Sequence, residues 1–329
     1  MIDSAEKPDI LAQKIAEFYF KKENTNLIVR GIGRELEEKF APSLDAVIAY
    51  GSNTNGNQAD SIIDYILFTN DRNQFFRNFL GYFSLPKRGI RNRFYISLGY
   101  NTPEYHLDCF KIQPNIYMAF EGTGKDAMGY KFNVVGTDKW QSEMSEGKED
   151  WYWYGRFMKV TPVIWMREGF KDAFVRKIAG AIREGVETAL ILAANEEIEK
   201  DPDTEKTGAV VVGKEDIMRY YMNLSYICDK RVEPGDKWKK LFEQAPEAYD
   251  TFVDICLEEL REKEMIGSTL FGDKVGIMMD PKAVRERAVM IYSRLSAQKK
   301  SFVRHNRSNV WTNIYWPEYC IAKIKKCMK

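Results

Sequence analysis

The stretch that decides the fold is Ala46-Val-Ile-Ala-Tyr-Gly-Ser52, followed after a polar loop by Ser61-Ile-Ile-Asp-Tyr-Ile-Leu-Phe68. The first segment predicts a short apolar strand that ends at a Gly-Ser turn, and the second predicts a strand that carries one carboxylate. Glycine lets a backbone approach a triphosphate closely, and the serine hydroxyl and exposed amides of such a turn bind its oxygens. A nearby strand carboxylate can hold Mg²⁺ or Mn²⁺. The alternative is a tight turn beside an acid on an edge strand.

Helices and strands interleave on both sides of these two segments. Helical periodicity covers 11–20, 28–40 and 71–83, and strands are predicted at 94–98, 105–112 and 130–135. This order predicts an α+β sheet domain over residues 1–165. A long helix at 170–194, a loop at 195–208, helices at 217–226 and 249–261 and a hairpin within 265–279 follow. They predict a helical or winged-helix-like domain over 166–298.

The remaining residues, 299–329, form a basic tail. It holds eight Lys or Arg against one acid, Glu318, beside several aromatic residues. Pro317 can begin a helix whose apolar face includes Ile321 and Ile324, with lysines on its flanks. Such a C-terminal amphipathic helix is suited to an anionic membrane surface. The alternative is a terminal helix docked on the protein.

Composition narrows the function classes. The formal net charge is only +1, which argues against nucleic acid as a partner, and no apolar run approaches the roughly 20 residues that span a bilayer. The five cysteines are scattered and there are only two histidines, which predicts reduced thiols and no zinc site. The first residues resemble neither a secretory signal nor a mitochondrial presequence. We therefore expect a cytoplasmic protein, peripheral to the inner face of the cell membrane, and leave open whether it forms oligomers.

A Gly-Ser turn followed by an acidic strand is typical of polymerase-beta-like nucleotidyltransferases. Further segments resemble, in order, motifs of the mitochondrial-type phosphatidate cytidylyltransferases (the translocator assembly and maintenance family), and a prokaryotic member is expected. Tyr50-Gly-Ser52 with Ile63-Asp-Tyr-Ile66 is similar to Y-G-S…(I/L)-D-(F/L)-(I/V). Tyr130-Lys-Phe-Asn-Val-Val135 resembles K-Y-G-V-V, with Asn133 in place of its glycine. The segment 151–164 resembles W-x-x-x-Y-x-x-G-R-x-x-K-P-V. The segment 224–231 resembles L-S-Y-x-G-D-x-R, with Cys228 in place of its glycine.

The resemblance implies the reaction of CTP with phosphatidate to give CDP-diacylglycerol and pyrophosphate, with Mg²⁺ or Mn²⁺ as cofactor. The phosphate oxygen that attacks is already anionic, so no general base is needed. Positioning and electrostatic stabilisation then supply most of the catalysis. Tyr50, Gly51 and Ser52 are expected to bind the nucleotide, and Asp64 to hold the metal.

The metal site needs more than one acid. The superfamily usually has a second acid at the position of Ile62, which cannot ligate. Asp60 shares the strand face of Asp64 by alternation, and Asp108 is the best candidate for a third ligand, although it could equally be a solvated strand residue. Asp71 is expected to cap the helix that follows it.

Basic side chains are the candidates for phosphate contacts. Lys131 is expected to reach the triphosphate or the lipid phosphate, and its alternative is an exposed strand lysine. Arg156 and Lys159 follow an aromatic cluster and suit phosphate, or form an ordinary surface pair. Asp229 and Arg231 contact substrate or form an ion pair at a helix end.

Two rival functions remain open at the level of sequence. One is a nucleotidyltransferase that acts on a different acceptor, such as an RNA end, a small alcohol or a protein. The other is a non-catalytic, membrane-attached protein that binds nucleotide, which the apolar Ile62 makes plausible.

Overall fold

The computed structural model describes residues 9–21, 27–50, 63–71, 74–75, 78, 115–119, 129–144, 151–201, 203, 210–227, 237–267 and 273–309. For 115–119, 129, 131, 143, 151–153 and 299–309 it describes the backbone alone. These residues form a mixed α+β structure that is rich in helix, as the sequence predicts. Within them, no helix combines the length and the apolar character needed to cross a bilayer.

The predicted helices and strands that fall on described residues occur in the predicted order, and the strands predicted at 94–98 and 105–112 lie outside the described residues. The strands are β1 (Leu44–Tyr50), β2 (Ile63–Thr69), β3 (Asn115–Ala119), β4 (Gly129–Gly136), β5 (Val163–Met166), β6 (Val210–Gly213) and β7 (Lys274–Ile277). The helices are α1 (Ile10–Tyr19), α2 (Leu27–Phe40), α3 (Thr137–Glu143), α4 (Trp151–Phe157), α5 (Glu168–Lys200), α6 (Lys214–Ile227), α7 (Lys237–Phe242), α8 (Pro246–Glu262) and α9 (Pro281–Asn309).

The chain forms two compact units, each made from separate stretches of sequence. The sheet unit is drawn from Tyr19–Ser145, Thr161–Ala173 and Phe302–Lys329, and the helical unit from Met1–Phe18, Glu146–Val160 and Phe174–Ser301. The expected division into consecutive domains at residues 165 and 298 stays a prediction.

A five-stranded sheet in the order β3-β4-β2-β1-β5 is the centre of the sheet unit. β1 is antiparallel to β2 and to β5, whereas β2 runs parallel to β4. The β1 and β2 segments are apolar on both faces, and six of the seven residues in each are buried. Such a pattern is typical of central strands covered on both sides.

One face of this sheet packs against α2. The apolar residues of α2 recur at helical spacing and lie against the sheet side chains. The Tyr65 hydroxyl donates a hydrogen bond of 2.7 Å to the carbonyl of Val29, which ties β2 to that helix. The α2 residues in this core are Val29, Ile32, Leu36 and Phe40.

The opposite face is covered at one end of the sheet. Phe68, at the end of β2, contacts the rings of Trp140 and Phe170 with centroids 5.1 and 5.5 Å away. These aromatic rings bury the end of the face where β1 begins and β2 ends. The other end of the same face carries polar side chains.

The core of the helical unit is built around α5. Its apolar residues recur every four positions, as the sequence predicts, and all are buried: Phe174, Ile178, Ile182, Val186 and Leu190. Arg183 of α5 donates to Glu259 of α8 at 2.7 Å and to Asp9, which caps α1. These contacts fasten α1 and α8 to α5.

The predicted loop at 195–208 is wrong at its start, because α5 continues to Lys200. Ile198 is fully buried, and Lys200 pairs with Glu196 and Glu197 at i−4 and i−3. Strong helix formers and such pairs prolong a helix that polarity alone would end.

A two-stranded sheet of β6 and β7 accompanies the helices. The hairpin expected within 265–279 is present in part, since Gly267 donates to Gly276 and Met278 to Met265. The winged-helix-like character of this unit stays a prediction.

The sequence missed seven elements: β3, β5, β6, α3, α4, α7 and α9. β5 and β6 have four residues each, too few for a periodic pattern to stand out. α9 runs from Pro281 to Asn309 without interruption, across residue 299, where the sequence placed the start of the tail. The rest of the tail, 310–329, lies outside the described residues, and its membrane role stays a prediction.

Candidate functional site

The polar end of the sheet is where the sequence placed the catalytic carboxylate. Asp64 is the second residue of β2, with Tyr50 opposite it on β1 and Lys131 opposite it on β4. Paired residues in a sheet share a face, so the three positions lie side by side. Asp64 is partly buried. The strand register thus brings together three residues that are far apart in the sequence.

Asn133 belongs to the same face, two residues beyond Lys131 on β4. Its Nδ2 donates a hydrogen bond of 2.7 Å to the Tyr50 hydroxyl. The two residues lie on the strands that flank β2, so this bond bridges the middle strand. A glycine at position 133 could not make it. Asn133 therefore fixes the ring of Tyr50.

Six of the predicted site residues lie outside the described part of the chain. They are Gly51, Ser52, Asp60, Asp108, Asp229 and Arg231. For Lys131 the backbone position is described and the side chain is not. The roles expected for these seven residues stay predictions.

Of the residues predicted to hold a metal, only Asp64 lies within the described residues, where no cluster of three metal-ligating side chains occurs. A carboxylate at a strand end suits a hard cation such as Mg²⁺, but Mg²⁺ needs further oxygen ligands. Asp71 has a different role, since its Oδ1 accepts a hydrogen bond from the amide of Gln74 at 2.9 Å. That bond confirms the predicted helix cap.

A second group of predicted residues, Arg156 and Lys159, belongs to the helical unit. Gly155 explains how their segment packs. A Cβ added at Gly155 would lie 2.4 Å from the Cβ of Ser225 and 2.6 Å from its backbone nitrogen. Only glycine allows α4 and α6 to come this close. The close approach therefore brings together the motif around Gly155 and the motif around Ser225, which are far apart in the sequence.

Lys159 is held at this contact by its ammonium group. Its Nζ donates a hydrogen bond of 2.7 Å to Ser225 Oγ and lies 4.1 Å from the ring centroid of Tyr226. Lys237, at the start of α7, lies 4.5 Å from the same centroid. We call Lys159, Lys237 and Tyr226 the lysine pair site.

The backbone beside Lys159 is fixed from both sides. The carbonyl of Met158 accepts a hydrogen bond of 2.9 Å from the Tyr221 hydroxyl. The amide of Val160 donates one of 3.1 Å to the Tyr249 hydroxyl. Burial raises the pKa of Tyr249, which therefore stays a neutral phenol at physiological pH. The position of Lys159 is thus set before any ligand binds.

The sequence missed Asn133, Ser225 and Lys237 as members of these sites. Asn133 and Ser225 lie inside motifs that were recognised, so their positions carried a signal. Lys237 lies in a charged segment, Asp236-Lys-Trp-Lys-Lys240, that has no distinguishing pattern.

Comparison with known proteins gives little beyond this geometry. No protein-family model and no curated protein matches the chain. Among solved structures, it resembles a nucleotidyltransferase-like protein from Exiguobacterium sibiricum 255-15 with 8% identity. The alignment covers 87% of this chain and 77% of the other, with a TM-score of 0.24. A likeness at that level carries no argument about fold or activity.

Proposed function

We propose that the chain is a metal-dependent nucleotidyltransferase that makes CDP-diacylglycerol and pyrophosphate from CTP and phosphatidate. The observation that carries the proposal is the strand register, which aligns Asp64 with Tyr50 and Lys131 at the polar end of the sheet. A partly buried carboxylate beside a strand lysine provides a metal ligand and a cation for a triphosphate. The Gly-Ser turn follows Tyr50 directly in the sequence.

The proposed roles follow from charge. Asp64 holds Mg²⁺ or Mn²⁺ together with Asp60 and Asp108, and the Gly51-Ser52 turn and Lys131 contact the CTP phosphates. When bound, the metal neutralises the negative charge that develops on the leaving pyrophosphate. Arg156, Lys159 and the 229–231 segment contribute further phosphate contacts.

The lipid assignment is supported by α9. This helix contains eight Lys or Arg and one Glu. Val289 and Met290 are 67% and 56% exposed, and Tyr292 is exposed as well. A basic helix with exposed apolar and aromatic side chains suits an anionic membrane surface. We propose that α9 and the tail after it hold the protein at the inner face of the cell membrane.

Pyrophosphate release tests the reaction. Each of the four nucleoside triphosphates is supplied with Mg²⁺ or Mn²⁺, with and without phosphatidate vesicles. We expect release only with CTP and phosphatidate together, and its loss in Asp64→Asn, which keeps the size of the side chain. Asp138→Asn, an exposed acid on α3, is the matched control and retains activity.

The outcomes separate the rival functions. Release with CTP that does not depend on phosphatidate would indicate another acceptor. Nucleotide binding without release under any condition would favour the non-catalytic protein. Full activity in Asp64→Asn would remove Asp64 from the metal site.

A further inference from the structure

The side chain of Tyr50 crosses the middle strand of the sheet next to Asp64. Tyr50 pairs with Asp64 across β1 and β2. Asn133, whose amide donates to the Tyr50 hydroxyl, pairs with Ile66 across β4 and β2. Neighbouring strands are about 4.8 Å apart, so the bond links two strands that are separated by β2. The path from the Tyr50 backbone to the bonded amide therefore runs diagonally over β2, between Asp64 and Ile66, which share that face.

The ring divides this face of the sheet into two parts. On one side of it the residues are apolar and buried, with Ile48 and Ile66 at 0% and 1% exposure. On the other side lies Asp64, which is only partly buried. The ring of Tyr50 is thus the inner wall of the polar end of the sheet.

The hydrogen bond that fixes this wall is shielded from water. Asn133 is 6% exposed, and its Nδ2 lies 2.7 Å from the Tyr50 hydroxyl. Water competes little for such a bond, and the low local dielectric strengthens it. The orientation of the ring is therefore set within the sheet itself.

A fixed ring at this place limits where the carboxylate of Asp64 can point. Side chains occupy a few staggered rotamers, and those that would direct the carboxylate toward Ile66 meet the ring. The rotamers that remain direct it away from the apolar part of the face. A cation ligand that is restricted in this way loses less conformational freedom when it binds.

We propose that Asn133 is a positioning residue for Asp64. By holding the Tyr50 hydroxyl, it keeps the ring as the wall against which the carboxylate is oriented toward a divalent cation. When the bond is lost, the ring loses this fixed point and the carboxylate samples more orientations. The assignment of Asp64 as a cation ligand rests on the proposed function, whereas its dependence on Asn133 is measured with the metal alone.

Tyr65 provides a matched control on the same strand. It follows Asp64 directly and faces the opposite side of the sheet, where its hydroxyl donates a hydrogen bond of 2.7 Å to the carbonyl of Val29. Tyr50→Phe and Tyr65→Phe each remove one phenolic hydroxyl from a hydrogen bond of the same length. Only the first of them changes the wall beside Asp64.

Titration of the full chain with Mn²⁺, followed by electron paramagnetic resonance of the free ion, measures the affinity. Asn133→Ala and Tyr50→Phe should each weaken Mn²⁺ binding about ten-fold, the smaller end of the effect that follows when a group orienting a metal ligand is lost. The double variant should bind no more weakly than either single variant, because both remove the same bond. Tyr65→Phe should bind Mn²⁺ like the wild type, and Asp64→Asn should lose this binding.

Urea unfolding of the same variants separates positioning from a purely structural role. Tyr50→Phe and Tyr65→Phe should both lower the midpoint, since each loses one hydrogen bond. Only Tyr50→Phe should also lower the affinity for Mn²⁺. Because Tyr50→Phe keeps the ring, it keeps the test decisive if Asn133→Ala unfolds.

Three results would overturn the proposal: equal Mn²⁺ affinity in Asn133→Ala and the wild type, additive weakening in the double variant, or equal weakening by Tyr65→Phe. Binding of Mn²⁺ that does not depend on Asp64 would overturn both this proposal and the proposed metal site. Mn²⁺ binding that depends on Asp64 and Asn133, without CDP-diacylglycerol synthesis, would refute the proposed reaction and support the positioning role.

Discussion

Gly155→Ala is the substitution whose effect the structure defines most sharply. The added Cβ would lie 2.4, 2.6 and 2.7 Å from the Cβ, backbone nitrogen and Cα of Ser225. Carbon atoms in contact are normally about 3.5–4.0 Å apart. Because two of the three atoms belong to the backbone, no rotamer change relieves the clash. Helices α4 and α6 therefore have to move apart by about 1 Å.

The size of the effect follows from two destabilising terms and one stabilising term. Overpacking of this kind costs about 1–3 kcal/mol, and the upper part of that range applies where backbone must move. Alanine returns about 1 kcal/mol through its higher helix propensity. Weakening of the hydrogen bond between Lys159 and Ser225 adds about 1 kcal/mol. The net loss is about 2 kcal/mol, which lowers the melting temperature of a unit of this size by about 4–8 °C.

Two other helical glycines in the same unit provide a graded comparison. Gly180 has open space around its Cα, so Gly180→Ala should stabilise the protein by up to about 1 kcal/mol. At Gly185 an added Cβ would meet Sδ of Met158 at 2.5 Å, but that flexible side chain can move, so the change should be nearly neutral.

Urea denaturation followed by tryptophan fluorescence tests the series. The expected order of stability is Gly180→Ala, wild type, Gly185→Ala, Gly155→Ala. If Gly155→Ala proves as stable as Gly180→Ala, the close contact between α4 and α6 is refuted, and with it the placement of Lys159 beside Tyr226.

Three further outcomes are expected. Burial raises the pKa of Glu196, but hydrogen bonds, of which that from Arg219 is the largest, lower this pKa from 4.5 to about 2. The ionised carboxylate therefore stabilises the fold fully at pH values above 4.5. That contribution disappears as the pH falls from 4.5 to about 2. In Glu196→Gln the free energy of unfolding should therefore depend less on pH over this range. A pH dependence parallel to that of the wild type would contradict the prediction. Tyr50→Phe and Asn133→Ala should show a coupling energy of about 0.5–1.5 kcal/mol in a double-mutant cycle of urea unfolding, and additive effects would argue against their hydrogen bond. Burial raises the pKa of the Cys256 thiol to about 12, so iodoacetamide near neutral pH should alkylate it only in denaturant, as mapped by mass spectrometry; rapid labelling of the native protein would disagree.

Long periodic segments could be predicted from the sequence because their own residues specify them. The apolar residues of α2 recur at helical spacing, and β1 and β2 are short apolar runs bounded by turn residues. Their pattern also places Asp64 on a strand near a Gly-Ser turn. The end of α5 could not be predicted in this way, because burial of Ile198 outweighs the polarity of its neighbours.

The sequence by itself determined the α+β class, the main helices and strands, and the strand position of the candidate carboxylate. Only the tertiary structure decided which distant residues meet. Strand register puts Asn133 within hydrogen-bond distance of Tyr50, and the close approach of α4 to α6 puts Lys159 on the ring of Tyr226 beside Lys237. These contacts depend on how separate elements pack, and packing is set by the shape of many side chains together rather than by any local pattern.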